Sequence, residues 1–349
     1  MSTSLAGPRR PPARWHRRTV IAAVAVSAGV SAIAIVSVFV GRYGVDLGGM
    51  VTVLTGQGSA AQHTVIVTLR IPRVLLAVLV GASLGIAGAI VQTTARNALA
   101  SPDLLGVTGG ASAAAVAVIV LGGGGDGVSG FLRTVGIPAA SVVGGLAAAI
   151  LVLAILRRTG TIGATPILVG IGVSTIFTGL VSWLLIAADV DDLQRASVWL
   201  TGTLNGRSWP EVTATALTLV VTAVALLPFR RGLDVLTLGE GMTRSLGYRL
   251  GVLFGGTTIL AVLLTSAATA AAGPIAFLAL VSPHLARMSA ARPRAGLVLS
   301  GLFGAGVLLG SDLIARAAFT VQLPTGAITA LVGAPFLLFL LVSRRQENR

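Results

Sequence analysis

Long, almost uncharged apolar runs recur along this chain from Thr19 to the C-terminal end, and they constrain its fold more tightly than anything else in the sequence. They fall near residues 19–41, 74–92, 104–121, 137–156, 166–188, 210–228, 249–270, 275–288, 296–313 and 325–343. A bilayer core requires about 20 apolar residues per spanning helix, so the pattern predicts an all-α polytopic membrane protein of about ten transmembrane helices. Composition agrees: of 349 residues 54% are hydrophobic and only 10% charged, against roughly a quarter charged in a soluble domain. The 45 glycines fit helices packed in lipid, where small residues let backbones approach closely.

All 25 basic residues are arginine, and the chain has neither lysine nor cysteine. A phosphate-binding P-loop needs its lysine, a Schiff base needs an amine and thiol chemistry needs sulfur, so none of the three is available. The net charge of +14 raises the possibility of a nucleic-acid partner, but the arginines sit in short connections between apolar runs, as membrane orientation requires. Residues 9–18 carry five arginines ahead of a first run longer than the 7–15 residues of a signal-peptide core. They read as a cytoplasmic tail, residues 1–18, before a retained first helix. Threading ten spans from that start places 18 arginines inside and seven outside (Arg42, Arg70, Arg73, Arg133, Arg195, Arg207, Arg316). An odd number of spans would scramble this asymmetry. The organisation expected is a basic tail 1–18, a transmembrane domain 19–343 and a short cytoplasmic tail 344–349.

Four groups of residues stand out. Arg70 and Arg73 open the second span three residues apart, and Arg316 lies at the outer end of the ninth. Such arginines either snorkel to the interface or serve an acidic partner. Asp312, four residues before Arg316, reads as its i, i+4 ion-pair partner. The inner segment 230–248 reads as one or two helical turns on the membrane surface, suited to an ordinary interfacial helix or to a platform for a motor subunit. Ser174, Thr178 and Ser182 recur every fourth residue on one face of the fifth span, either lining a polar pathway or bonding packed helices. His16, His63 and His284 have no metal-ligand spacing, and no span holds a carboxylate pair, so no metal site and no proton-coupled carrier are expected.

Several segments in order resemble the FecCD-type permeases of ABC importers for iron siderophores, haem and vitamin B12. They are Arg70-Ile71-Pro72-Arg73, Gly81 to Gln92, Arg96 to Pro102, Leu105-Gly106, Gly109-Gly110-Ala111, Leu238-Gly239-Glu240, Leu246-Gly247, Gly273 to Phe277, Ser282 to Arg287, Ser311 to Arg316, and Leu323-Pro324-Thr325-Gly326 through Phe336. The chain departs from the family pattern at Ala98, where proline is common, and at Gln322, where an acidic residue often stands. The resemblance implies a type II importer permease fold in a bacterial cytoplasmic membrane, with both termini cytoplasmic. It implies a second permease subunit, identical or homologous, with the pathway at the interface, and two ATPase subunits that bind ATP and Mg²⁺, so that this chain carries no cofactor and no catalytic site. An extracytoplasmic binding protein would dock through acidic residues on Arg70, Arg73 and Arg316 and deliver a metal chelate, an iron siderophore in the first instance, haem or cobalamin otherwise. Leu238, Gly239, Glu240, Arg244, Leu246 and Gly247 would form the ATPase coupling loop, and Thr159, Gly160 and Thr161 fall where the family narrows its inner gate. An ion-coupled secondary transporter is the rival class.

Overall fold

The computed structural model describes residues 13–41, 44, 47–122, 135–159, 165–290, 296–319 and 321–347, and every one of its long elements is a helix. In chain order these are α1 (Ala13–Phe39), α2 (Leu47–Leu54), α3 (Ala60–His63), a π-helical stretch Thr64–Arg70, and α4 (Ile71–Thr94). A 3₁₀ turn Pro102–Leu105 leads to α5 (Val107–Leu121), α6 (Ile137–Thr159), α7 (Thr165–Ala187), α8 (Val190–Leu200) and α9 (Trp209–Leu226). Then come α10 (Arg230–Leu236), α11 (Glu240–Ser245), α12 (Leu250–Ala272), α13 (Leu278–Ala290), α14 (Leu297–Ala317) and α15 (Thr325–Glu347).

Seven of the described helices are long and apolar enough to cross a membrane. Two shorter apolar helices, Val107–Leu121 and Thr325–Phe339, accompany them. The 13 residues of α13 reach only about 20 Å at 1.5 Å per residue, and non-helical residues 273–277 complete that passage. The order of elements matches ten passes, with short helices at both faces.

The second pass departs most from the sequence expectation. It begins at Ala60 rather than near residue 74, because α3, the π stretch and α4 run on as one helix of 35 residues. A capping box closes its start: Gln62 N donates to Ser59 Oγ at 3.2 Å and Ser59 N to Gln62 Oε1 at 3.0 Å. Pro72 has no N–H to give the carbonyl four residues back, and immediately before it the ladder widens, Ile71 N bonding to Ile66 O.

α4 is the axis of the molecule, enclosed by α9, α12, α13 and α14. Its largest buried cluster joins Leu76, Val80 and Leu84 to Ala268, Leu278, Leu308 and Leu309. Glycine sets the spacing: a Cβ on Gly81 would strike the backbone of Gly304, and one on Gly304 the backbone of Gly81. Gly110 and Gly144 make the same reciprocal contact between α5 and α6. α5, α7 and α8 close a second cluster around Val116, Leu184 and Trp199. The connection between the fifth and sixth apolar runs contains α8, whose inward face is Asp192, Ala196 and Trp199.

Candidate functional site

The Gly81–Gly304 contact fixes the height at which charged residues meet. α4 and α14 are antiparallel, and Arg73 and Asp312 each lie eight residues from that contact towards the same face of the bundle. The two side chains are therefore level. Arg73 Nη2 donates to Asp312 Oδ1 at 2.8 Å, and Arg73 Nε to both carboxylate oxygens at 3.1 Å. One turn further along α14, Arg316 Nε lies 3.0 Å from Asp312 Oδ2, and at the start of α15 Thr325 Oγ1 donates to Asp312 Oδ1 at 2.9 Å. The carboxylate is 0% exposed, the Arg73 side chain 10% and the Arg316 side chain 9%. A buried carboxylate survives only with this density of charged and hydrogen-bonding partners. Two guanidinium groups on one carboxylate leave the trio one positive charge in excess.

Arg70 and Arg316 also serve the end of α1. Arg70 Nη1 donates to Val38 O at 2.7 Å and to Phe39 O at 3.1 Å, while Arg316 Nη1 donates to Ser37 O at 3.2 Å and Val40 O at 3.1 Å. Those carbonyls are the orphan acceptors of a helix C-terminus, where a cation also meets the favourable end of the dipole. The structure thus brings Arg316 to the same face as Arg70 and Arg73, and all three guanidinium groups are largely buried there. All three point inward and tie α1, α4, α14 and α15 to one another.

Three further side chains complete this cluster. Asn205 Oδ1 accepts from Arg73 Nη1 at 3.3 Å. The Gln322 amide, with its oxygen towards Arg73, accepts from Nη1 at 2.6 Å and Nη2 at 2.8 Å. Thr325 is the third. Loop contacts deliver them: Thr203 N donates to Ala272 O at 2.7 Å and Gly326 N to Gly202 O at 2.9 Å. Gly202 has φ +69°, and a Cβ there would meet Pro274 O, so only glycine fits the turn. The two amides become visible only once the loops are folded.

At the opposite face, α10 is held by Leu233 and Leu236 against Leu250 and Leu253 of α12. The chain then turns at Gly239, φ +106°, into α11. Thr243 is buried and donates to Gly239 O at 2.7 Å. Leu238, Met242 and Leu246, spaced by four, remain 68%, 51% and 56% exposed, an apolar ridge on the molecule's surface. Arg244 and Glu240 pair at 3.6 Å on its flank, and Gly247 follows with φ +84°. Two short helices thus stand where one or two surface turns were expected. Beside them a cavity of about 930 Å³ is lined by Ile86, Leu226, Leu264, Arg230, Thr237 and Leu238.

Ser174, Thr178 and Ser182 do share one face of α7. Thr178 Oγ1 donates to Ser174 O at 2.9 Å and Ser182 Oγ to Thr178 O at 3.0 Å, with Ser174 Oγ 3.4 Å from Asp103 O. Thr178 and Ser182 are exposed in the single chain. Thr159 is the last residue of α6, and Gly160 and Thr161 lie outside the described residues, as do most of the tail 1–18 and the last two residues of 344–349.

Two further polar groups lie near that opposite face. Arg287 Nη1 donates to Gln92 Oε1 at 2.6 Å, and Gln92 Nε2 to Leu280 O at 3.2 Å, joining α4 to α13. Asp103, in the connection between α4 and α5, accepts from Thr108 Oγ1. Burial pushes its carboxyl above the ordinary aspartate range, against a smaller lowering by that hydrogen bond. Among the described residues no group of three or more histidine, aspartate or glutamate side chains could hold a metal ion.

The family model described as the FecCD transport family matches residues 20–343, nearly the whole chain and every element that builds both faces. The chain belongs to the FecCD transport family. Relatives are similar over most of their length. The ferric enterobactin transport system permease of Escherichia coli is 34% identical over 297 residues, covering 85% of this chain and 87% of its own. The iron(3+)-hydroxamate import system permease of Bacillus subtilis is 32% identical over 292 residues, covering 83% and 87%. A solved inward-facing structure of a metal-chelate type ABC transporter superposes with a TM-score of 0.80 at 27% identity, covering 92% of this chain and 98% of that one. The FecCD resemblance carried by the short motifs is thus borne out over residues 20–343.

Proposed function

We propose that this FecCD-family chain is the membrane permease subunit of an ATP-binding-cassette importer that takes up an iron siderophore or a similar metal chelate across the cytoplasmic membrane. The match over residues 20–343 carries this reading. The relatives named for ferric enterobactin and iron(3+)-hydroxamate, and the metal-chelate transporter of the same fold, support the substrate class. Cobalamin is the alternative, favoured by a cobalamin import permease of Halobacterium salinarum that is 35% identical over 284 residues. Haem belongs to the same chelate class.

Both termini lie in the cytoplasm and the arginine face looks outward. There an acidic extracytoplasmic binding protein docks over Arg70, Arg73 and Arg316, drawn by the excess positive charge of the cluster. The substrate then passes between this permease and a second one, identical or homologous, along the α7 stripe of Ser174, Thr178 and Ser182. The inner gate is assigned to Thr159, Gly160 and Thr161, between the fourth and fifth spans. Leu238, Met242 and Leu246 form a ridge suited to a groove on an ATPase subunit, with Gly239 and Gly247 setting the angles of α11. Two such subunits bind ATP and Mg²⁺ and supply the work, and closure is relayed through Glu240, Arg244 and their neighbours.

Reconstitution tests this. Liposomes containing the permease together with its ATPase subunits, ATP and binding protein should accumulate ⁵⁵Fe-siderophore, and a panel with haem and cobalamin ranks the substrates. Omitting either partner should abolish uptake. Accumulation by this chain alone under an ion gradient, or nucleotide hydrolysis by it unaided, would overturn the assignment.

A further inference from the structure

Arg73 is held by two kinds of partner. Asp312 is charged, fully buried and held by Arg316 and Thr325 as well as by Arg73, so its carboxylate is an internal part of the bundle. The Asn205 and Gln322 amides are neutral, exposed, and carried on connections at the face itself. They take up both terminal nitrogens of a guanidinium whose side chain is only 10% exposed. Next to it the Arg316 side chain, 9% exposed, leaves Nη2 with no hydrogen-bond partner among the described residues. The cluster therefore combines an excess positive charge, a buried donor left over, and a fork whose outer ligands are weak acceptors. A carboxylate adds the attraction of a full opposite charge and a bidentate fit to such a fork, neither of which a neutral amide supplies.

We propose that Asn205 and Gln322 form an exchangeable amide cap over a carboxylate-binding site built from Arg73 and Arg316, and that an acidic side chain of a docking partner enters by displacing them. The inference rests on the docking role given to this face above. It adds what that role lacks, namely how buried arginines become available and which residues set affinity. Asp312 is the positioning residue of the site: it aims Arg73 and Arg316 at the same point without itself meeting the partner. With a neutral glutamine at position 322 the fork stays open to competition. A glutamate there would fill it from within.

The assembled permease–ATPase complex, with binding-protein affinity measured against salt, provides the test. Q322E should weaken binding about tenfold or more and flatten its salt dependence, because an internal carboxylate now competes for Arg73. Q322A combined with N205A should strengthen binding, since no cap has to leave. Opposite directions are the signature. Unchanged affinity in Q322E, or weakening by both variants alike, overturns the cap. The docking role itself is read from a third variant, R73Q/D312N/R316Q, which removes every charge of the trio and leaves none buried alone. If the assembled complex of that variant still binds with wild-type affinity, the docking assignment fails. If it loses binding while Q322E does not, only the cap fails.

Discussion

Removing one charge from a buried ion cluster costs more than removing all of them, because what remains is a buried charge without its counter-ion. Asp312→Asn leaves Arg73 and Arg316 facing each other, and should destabilise the protein by about 3–5 kcal/mol. Thermal unfolding in detergent, followed by the fluorescence of the four tryptophans, measures it. A midpoint within a degree or two of wild type would show that solvent already reaches the trio. Asp103 behaves in the opposite sense. Burial raises its carboxyl above the usual range, so the folded state prefers the neutral acid. Its stability is fully present below the unfolded aspartate value, about 3.9, and is lost as pH rises through the higher folded value. Asp103→Asn should therefore raise the unfolding midpoint near neutral pH and leave it little changed in acid. A midpoint that falls at neutral pH would mean that the ionised carboxylate is needed. At this scale the sequence shows which arginines matter, and the i, i+4 spacing shows the Asp312–Arg316 pair. It does not show Arg73 with Asp312, 239 residues apart, nor the two amides, since loops place them.

Among the elements, α4 and α14 carry the arrangement. Gly304→Val should push their backbones apart, destabilising the protein by about 1–3 kcal/mol, the usual cost of overpacking. It should also lift Asp312 away from Arg73, so the double variant with Asp312→Asn should cost less than the sum of the two. Strict additivity in unfolding measurements would show that the helix contact and the ion cluster are independent. The apolar runs make the existence of these helices legible, because lipid requires long uncharged segments. Their ends are less so. Residues 60–70 hold Gln62, His63 and Arg70, which break the hydropathy pattern, yet the helix runs through them on a capping box and a π turn. α8 hides for the same reason: Asp191, Asp192 and Arg195 disguise a helix whose inner face is only Asp192, Ala196 and Trp199.

For the whole molecule, the testable property is orientation. The chain contains no cysteine, so single cysteines at Gln57, on the arginine face, and Thr237, on the opposite one, can be read against a silent background. A membrane-impermeant maleimide applied to intact cells or spheroplasts should label Gln57→Cys at once, and Thr237→Cys only after permeabilisation. The reverse pattern would overturn the orientation proposed for both faces. By itself the sequence determined that the chain is a many-pass helical membrane protein, and its ordered motifs pointed to the family, because hydropathy and short motifs are local properties of consecutive residues. Tertiary structure alone decided that the three arginines are ties rather than free ends, that Asp312 holds two of them, and that Asn205 and Gln322 cover the third side of Arg73. Those contacts depend on the height at which two glycines let α4 and α14 touch and on where the loops return. Both are set by packing between residues far apart in the chain.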